Sequence, residues 1–289
     1  MRERVARSRQ LVARGRKVAV VARVMQISRQ AIYRTPKRRT DQGPRAVAGP
    51  VDEAIVEVAR ENPTDGTRMV AALTSRQIGA PVSRKRAQRV MRQQKLLQRH
   101  RPLHRRRRPG HFRVTRPDEL WHMDMTSVWV AEHGWAYLNA IIDCCTREIP
   151  AWGLDLRCRK EEALIVVEAG VEAHAVAGDQ LTLGTDNGTA YTSRGFRSRL
   201  KELEITHRRG GYRDPESQAF IESWFGGLKR REVWRNDYET LDQARAGIGA
   251  YIERYHHRPH QFLGYRTPKE VRQTWEDAQE TETLRNQAA

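Results

Sequence analysis

GYRDPESQAFIESWFGGLKRREV, residues 211–233, decides how the chain is read. Ala219, Phe220, Ile221, Trp224, Phe225 and Leu228 recur at helical spacing, and the pattern sets one carboxylate, Glu222, within the helix. A basic run of Lys229, Arg230 and Arg231 follows one to two turns later. Upstream, two more acids stand where strands are expected to end: Asp124 in WHMDMT (121–126) and Asp186 in TDNGTAYTS (185–193). The three acids are read together as one candidate metal site.

Three carboxylates suit one kind of chemistry. Cleaving a phosphodiester with an oxygen nucleophile requires charge to be neutralised on the attacking, phosphoryl and leaving oxygens. Two divalent cations about 3.5–4 Å apart do this. Mg2+ prefers carboxylate oxygens and keeps several waters, so a few Asp and Glu suffice. Asp124 on a central strand and Asp186 at the end of its neighbour can face each other across about 5 Å of sheet spacing. Glu222, one methylene longer, can reach in from a helix packed on the sheet. Phe225, Gly226 and Lys229 are expected on Glu222's face of that helix. There Gly226 would leave room for a nucleic-acid backbone. Lys229 would hold a phosphate, or be an ordinary surface lysine.

Charge points to a polyanionic partner. The 289 residues carry a net +18, unevenly spread. Residues 1–116 hold 31 of the 53 Lys and Arg but only 7 of the 35 Asp and Glu, whereas all seven tryptophans lie beyond them. A basic, helix-forming front is thus joined to a core-building, slightly acidic back. No apolar run approaches the roughly 18 residues of a membrane span, and no secretory signal is visible. Three crowded cysteines, Cys144, Cys145 and Cys158, make no disulfide framework and fit a reducing cytoplasm.

The front divides into four parts. Residues 1–38 contain two short helical patterns, with Val20, Val21, Val24 and Met25 in the first and Ala31 and Ile32 in the second. Ser28 is placed to cap the second. This suggests a helix-turn-helix presenting Arg29, Gln30 and Arg34 to a DNA groove; the alternative is a plain helical hairpin. Residues 39–50 form a Pro- and Gly-punctuated linker. Residues 51–97 read as three helices, the last basic with Arg84, Lys85 and Arg89. That is a second DNA-reading module, or else an adaptor with a solvated basic face. In 98–116, Arg99, Arg101, Arg105, Arg106, Arg107 and Arg108 cannot build a core, so the segment is a linker or a groove-tracking arm. His100 and His104 have no C-x-x-C partner, which excludes a zinc site.

From residue 117 the pattern changes to alternation. Trp121, Met123 and Met125 face one way and His122, Asp124 and Thr126 the other. Strands follow over 135–143 and 146–156, then a helix (161–174), a strand (181–185), a helix (193–203), a short strand (205–207) and two further helices. The fold class is α/β: a mixed five-stranded sheet flanked by helices, preceded by small all-α modules. Residues 117–275 form this core and 276–289 a C-terminal tail. Asp143 ends a strand, and Asp214 and Glu216 fall in a loop.

WHMDMT, TDNGTAYTS and PESQAFIESWFGGLKRREV resemble, in order, the three blocks of the DDE retroviral-integrase-like core of IS3-type insertion-sequence transposases. Sixty-one residues separate Asp124 from Asp186, and 35 separate Asp186 from Glu222, the DD(35)E interval of that group. YHHRPHQFLGYRTPKEV (255–271) resembles the segment closing such cores, and 51–97 resembles the helix-turn-helix region preceding them. The resemblance implies an RNase H-like fold and Asp124, Asp186 and Glu222 as catalytic metal ligands for two Mg2+ ions, with Mn2+ substituting. It implies terminal inverted repeats and target DNA as double-stranded partners, with strand cleavage and strand transfer as the reaction. It also implies a homo-oligomer, and fusion to an upstream frame by frameshifting. One triplet departs: Ser217, Gln218 and Ala219 stand where many members carry Asp-Asn-Ala or Ser-Asn-Gly. A DNA-binding regulator with an inactive core is the alternative.

Overall fold

The computed structural model describes residues 2–33, 49–98, 114–210 and 218–287. The chain divides into two compact units, one within residues 1–48 and one spanning 49–289. Among the described residues no helix is long and apolar enough to cross a membrane.

The first unit holds three helices: α1 (Arg2–Ala13), α2 (Val18–Val24) and α3 (Arg29–Tyr33). The expected cap is present, since the Ala31 N–H donates to the Ser28 hydroxyl at 3.2 Å. The buried face of α2 is Val21 and Ala22, packed with Ile32. Val20 and Val24, expected inside, point outward. The reason is α1, whose Leu11 and Val12 close the small core from one side only.

The second unit begins with α4 (Pro50–Glu61), α5 (Thr67–Ile78) and α6 (Arg84–Gln93). Ile55, Val58, Val70, Ala87, Val90 and Met91 fill their centre. Ser83 caps α6 by accepting the Arg86 N–H, and Gly79 ends α5 in the left-handed conformation (φ 65°) that glycine adopts without strain.

A five-stranded mixed sheet follows, in the order β3-β2-β1-β4-β5. Its strands are β1 (Leu120–Val130), β2 (Gly134–Asp143), β3 (Trp152–Asp155), β4 (Thr182–Thr185) and β5 (Thr206–Arg209). β1, β2 and β3 pair antiparallel, and β1, β4 and β5 pair parallel. The helices are α7 (Lys160–His174), α8 (Thr189–Thr192), α9 (Arg194–Glu202), α10 (Ala219–Arg231), α11 (Leu241–His256) and α12 (Pro268–Gln287). Alternation along β1 sorts its residues between two cores. Trp121 and Met123 pack with Val167 and Phe196 of α7 and α9. Val128 and Val130 pack with Ile221, Trp224 and Ile248 of α10 and α11.

The third strand is shorter than expected. Asp143, fully buried, spends Oδ1 on the N–H groups of Cys145 and Thr146 and Oδ2 on that of Asp118. These bonds fold residues 144–146 into a turn, and regular strand pairing begins only at Trp152. At the C-terminus α12 runs unbroken from 268 to 287, across the boundary expected at 276.

Candidate active site

β1 and β4 lie parallel with Met123 opposite Thr185, so one further step brings Asp124 level with Asp186. Asp124 shares a strand face with Val128 and therefore looks toward α10. It is half-buried, whereas Asp186, just past the end of β4, and Glu222, in the first turn of α10, are exposed. The three acids meet electrostatically at Asp124. Burial lifts its carboxyl to about 6, and the charges of Asp186 and Glu222 push in the same direction. The Met125 N–H, donating to Asp124 Oδ1 at 2.7 Å, and the Lys229 ammonium pull it back down. Asp186, Glu222 and Lys229 thus each act on Asp124 through their charge.

Local bonds fix each acid's approach. Asp186 Oδ1 accepts the Gly188 N–H at 2.8 Å, closing a tight turn. A Cβ at residue 188 would stand 2.9 Å from that oxygen, so any side chain there would crowd the Asp186 carboxylate. Asn187 donates to the Gly210 carbonyl at 2.9 Å, tying the turn to the end of β5. Beneath, the buried Tyr191 hydroxyl donates to Asn139 Oδ1 at 3.3 Å. Burial raises its pKa well above the usual value, and Asp124 and Asp186 add to the shift. Tyr191 sits in the second sequence block, where the short helix α8 buries it.

The start of α10 is held by rings. Phe220 stacks on His122 with centroids 5.7 Å apart, and the Arg147 guanidinium lies 3.4 Å from the Phe220 centroid. Burial lowers His122 to about 4, and the charges of Arg147 and Arg208 act with it. His122 also packs on Gly184, where a Cβ would stand 2.9 Å from its ring. Gln218 occupies the N-cap position without capping through its side chain. It is buried, and neither amide atom has a partner among the described residues.

Two expectations about α10 are corrected. Phe225 is not on the face of Glu222; it turns inward beside Trp224, a step of three residues falling short of a full turn. Nor is Gly226 open, because the Arg230 guanidinium lies over it, 3.2 Å from where a Cβ would stand. Among the described residues no three His, Cys, Asp or Glu close into a ready-made metal cage. The acids converge without mutual contact. Their chemistry, three carboxylates with no thiolate or imidazole among them, fits a hard divalent cation.

The basic candidates separate in the same way. Arg29, Arg84 and Lys85 are exposed. Arg89 is committed inward: with Arg86 it pairs to Asp52, at 2.8 and 2.5 Å. Burial raises the Asp52 carboxyl, but the hydrogen bonds and charges of the two arginines outweigh it and hold the group below its usual value. Arg34, Arg99, Arg101, Arg105, Arg106, Arg107 and Arg108, like Asp214 and Glu216, lie outside the described residues.

Two integrase core domain family models match this chain, over residues 114–215 and 203–268. They cover the sheet, all three acids and the helices behind them. The chain is 28% identical over 291 residues to transposase InsD for insertion element IS2-9 of Escherichia coli strain K12, covering 93% of each protein. It is 31% identical over 164 residues to the transposase for insertion sequence element IS904 of Lactococcus lactis, covering 55% of this chain and 63% of that protein. By fold it aligns with a chain of the simian T-cell lymphotropic virus intasome (TM-score 0.47, 18% identity, 74% of this chain and 73% of that one). It also aligns with the HTLV-2 integrase catalytic core domain in complex with magnesium (TM-score 0.41, 17% identity, 54% of this chain and 96% of that one). The chain belongs to the insertion-sequence transposases with an integrase-like core.

Proposed function

We propose that this protein catalyses metal-dependent strand cleavage and strand transfer at the ends of its own element. Asp124, Asp186 and Glu222 would hold two Mg2+ ions, with Mn2+ able to replace them. The observation that carries this reading is the convergence of three acids from β1, the end of β4 and α10 on one point. There the proton affinity of Asp124 is raised by burial and by the other two. Such a raised carboxyl is expected where a cation is to be received. The bound ions would supply charge neutralisation at the attacking and leaving oxygens. Asp124 anchors the site from the rigid sheet, Asp186 closes it from a tight turn, and Glu222 approaches from α10. Lys229 holds a phosphate oxygen beside them, and Tyr191 supports the acid pair from below.

DNA is gripped elsewhere. Arg29 of α3 and Arg84 and Lys85 of α6 are exposed cations on short helices, suited to contacts with terminal-repeat DNA. The arginines of 99–108 add phosphate contacts that weaken with salt. Joining two element ends to one target requires more than one copy of the chain, so the active form is a homo-oligomer on DNA.

Three single variants test the assignment: Asp124→Asn, Asp186→Asn and Glu222→Gln. Each should lower cleavage of a duplex carrying the element's ends in Mg2+ by at least about 10³-fold. Binding of the same duplex in Ca2+ should stay within about twofold. Cleavage at the wild-type rate by any one of them would remove that residue from the site.

A further inference from the structure

The turn between α4 and α5 carries an acid that no motif singles out. Asp65 is 1% exposed in its side chain, and each of its oxygens is taken by a different arginine. Arg231, the last residue of α10, donates from Nη2 to Asp65 Oδ1 at 3.1 Å and from Nε to Thr64 Oγ1 at 3.3 Å. Arg258, just beyond α11, donates from Nη2 to Asp65 Oδ2 and from Nη1 to Asn62 Oδ1 at 3.2 Å. Arg231 is also hydrogen-bonded to the Tyr251 hydroxyl of α11. One buried carboxylate therefore joins the three-helix segment to the ends of both helices that back the acid site. It also divides the basic run at the end of α10. Lys229 acts on Asp124 through its charge, whereas Arg231 is paired with Asp65.

We propose that Asp65 is a positioning residue for strand cleavage, fixing the C-terminal end of α10 and through it the reach of Glu222 and Lys229. The proposal rests on the reading of Glu222 as a metal ligand. Glu222 and Arg231 are nine residues apart, about 14 Å along a rigid helix. A tilt of about 10° about one end would move the other by about 2 Å, where misplacements of about 1 Å cost about a hundredfold in rate. Phe220, held by His122 and Arg147, secures one end of α10. Asp65 secures the other, so the helix is pinned at both.

The test uses the full chain and a duplex carrying the element's flanking DNA. Wild type, Asp65→Asn, Asp65→Glu, Arg231→Lys and Glu222→Gln are compared by single-turnover cleavage, Mg2+ titration, duplex affinity and amide hydrogen exchange along α10. Asp65→Asn should lose exchange protection over α10, cleave about tenfold or more slowly at saturating DNA and need more Mg2+. Its duplex affinity should change less than twofold. Asp65→Glu should recover part of the rate, and Arg231→Lys, which keeps the charge but loses the planar fork, should show a smaller version of the same defect. If Asp65→Asn does not fold, Arg231→Lys carries the test. Unchanged α10 exchange overturns the proposal, as does lower thermal stability with an unchanged cleavage rate. Wild-type cleavage by Glu222→Gln removes the metal-ligand reading instead. In that event loosened α10 exchange in Asp65→Asn still establishes its hold on the helix, and unchanged exchange refutes it.

Discussion

Asp124 is a carboxylate whose charge its own surroundings oppose. The Met125 N–H donates to one of its oxygens, yet burial and two nearby carboxylates oppose its charge. An unfolded aspartate titrates near 3.8 and this one at about 6, so the folded chain holds the proton more tightly. Between those values each rise in pH therefore favours unfolding, and above about pH 6 the whole penalty is present. Asparagine keeps the acceptor for the Met125 N–H and removes the charge. In EDTA at pH 7.5, Asp124→Asn should unfold at a higher temperature than wild type, by an amount worth on the order of 1 kcal/mol. The gain should vanish near pH 4, where the wild-type carboxyl is already protonated. A variant less stable than wild type at pH 7.5 would remove the repulsion argument.

Elements whose apolar spacing decides their packing were legible in the sequence, and elements set by distant polar partners were not. α10 was readable because Ile221, Trp224 and Leu228 mark its buried side, and β1 because Trp121 and Met123 alternate with His122 and Asp124. The candidate acids were readable from their blocks and interval, but the tilt of Arg231 toward Asp65 joins residues 166 apart and leaves no local trace. Arg272 of α12 is a similar case. It reaches Asp118 and Glu148, 154 and 124 residues away, so a helix with little apolar stripe is anchored by a buried guanidinium. β3 was read too long because the carboxylate bonds of Asp143 override strand propensity. At the turn after β4, the crowding of any side chain at residue 188 against the Asp186 carboxylate leaves no trace in the sequence. In Gly188→Ala the added Cβ crowds the Asp186 carboxylate at its 2.8 Å bond to residue 188 and shifts it. Cleavage should fall about 10- to 100-fold, with the melting temperature lowered by no more than a few degrees. A fall in stability without a fall in cleavage at 20 °C would show that the turn does not set Asp186.

Within the second unit, among the described residues, ion pairs join the three-helix segment to the helices that flank the sheet. Besides Asp65, the second strap is Arg76 of α5, whose Nη1 and Nη2 each donate to one oxygen of Glu270 at 2.7 Å. Nη2 also donates to the Tyr265 carbonyl at 3.0 Å. Such a forked pair places the segment against the start of α12 in one orientation, which an apolar contact would not do. It also makes the attachment acid-sensitive. Hydrogen bonds from Arg76 draw Glu270 down to about 2, with the Thr267 N–H assisting against burial. A carboxyl depressed in the folded state contributes stability that is fully present above its ordinary value of 4.5 and is lost as pH falls toward 2. Both side chains are more than 40% exposed, so solvent and salt screen the pair and its contribution stays below about 1 kcal/mol. Wild type should therefore exceed Glu270→Gln in urea midpoint at pH 6, and the two should approach each other between pH 4.5 and pH 3. Raising salt at pH 6 should narrow the same gap, because the pair is open to ions. A gap that stays constant from pH 6 to pH 3 would mean that Glu270 acts through its shape and not its charge, and that the segment is not held by this pair.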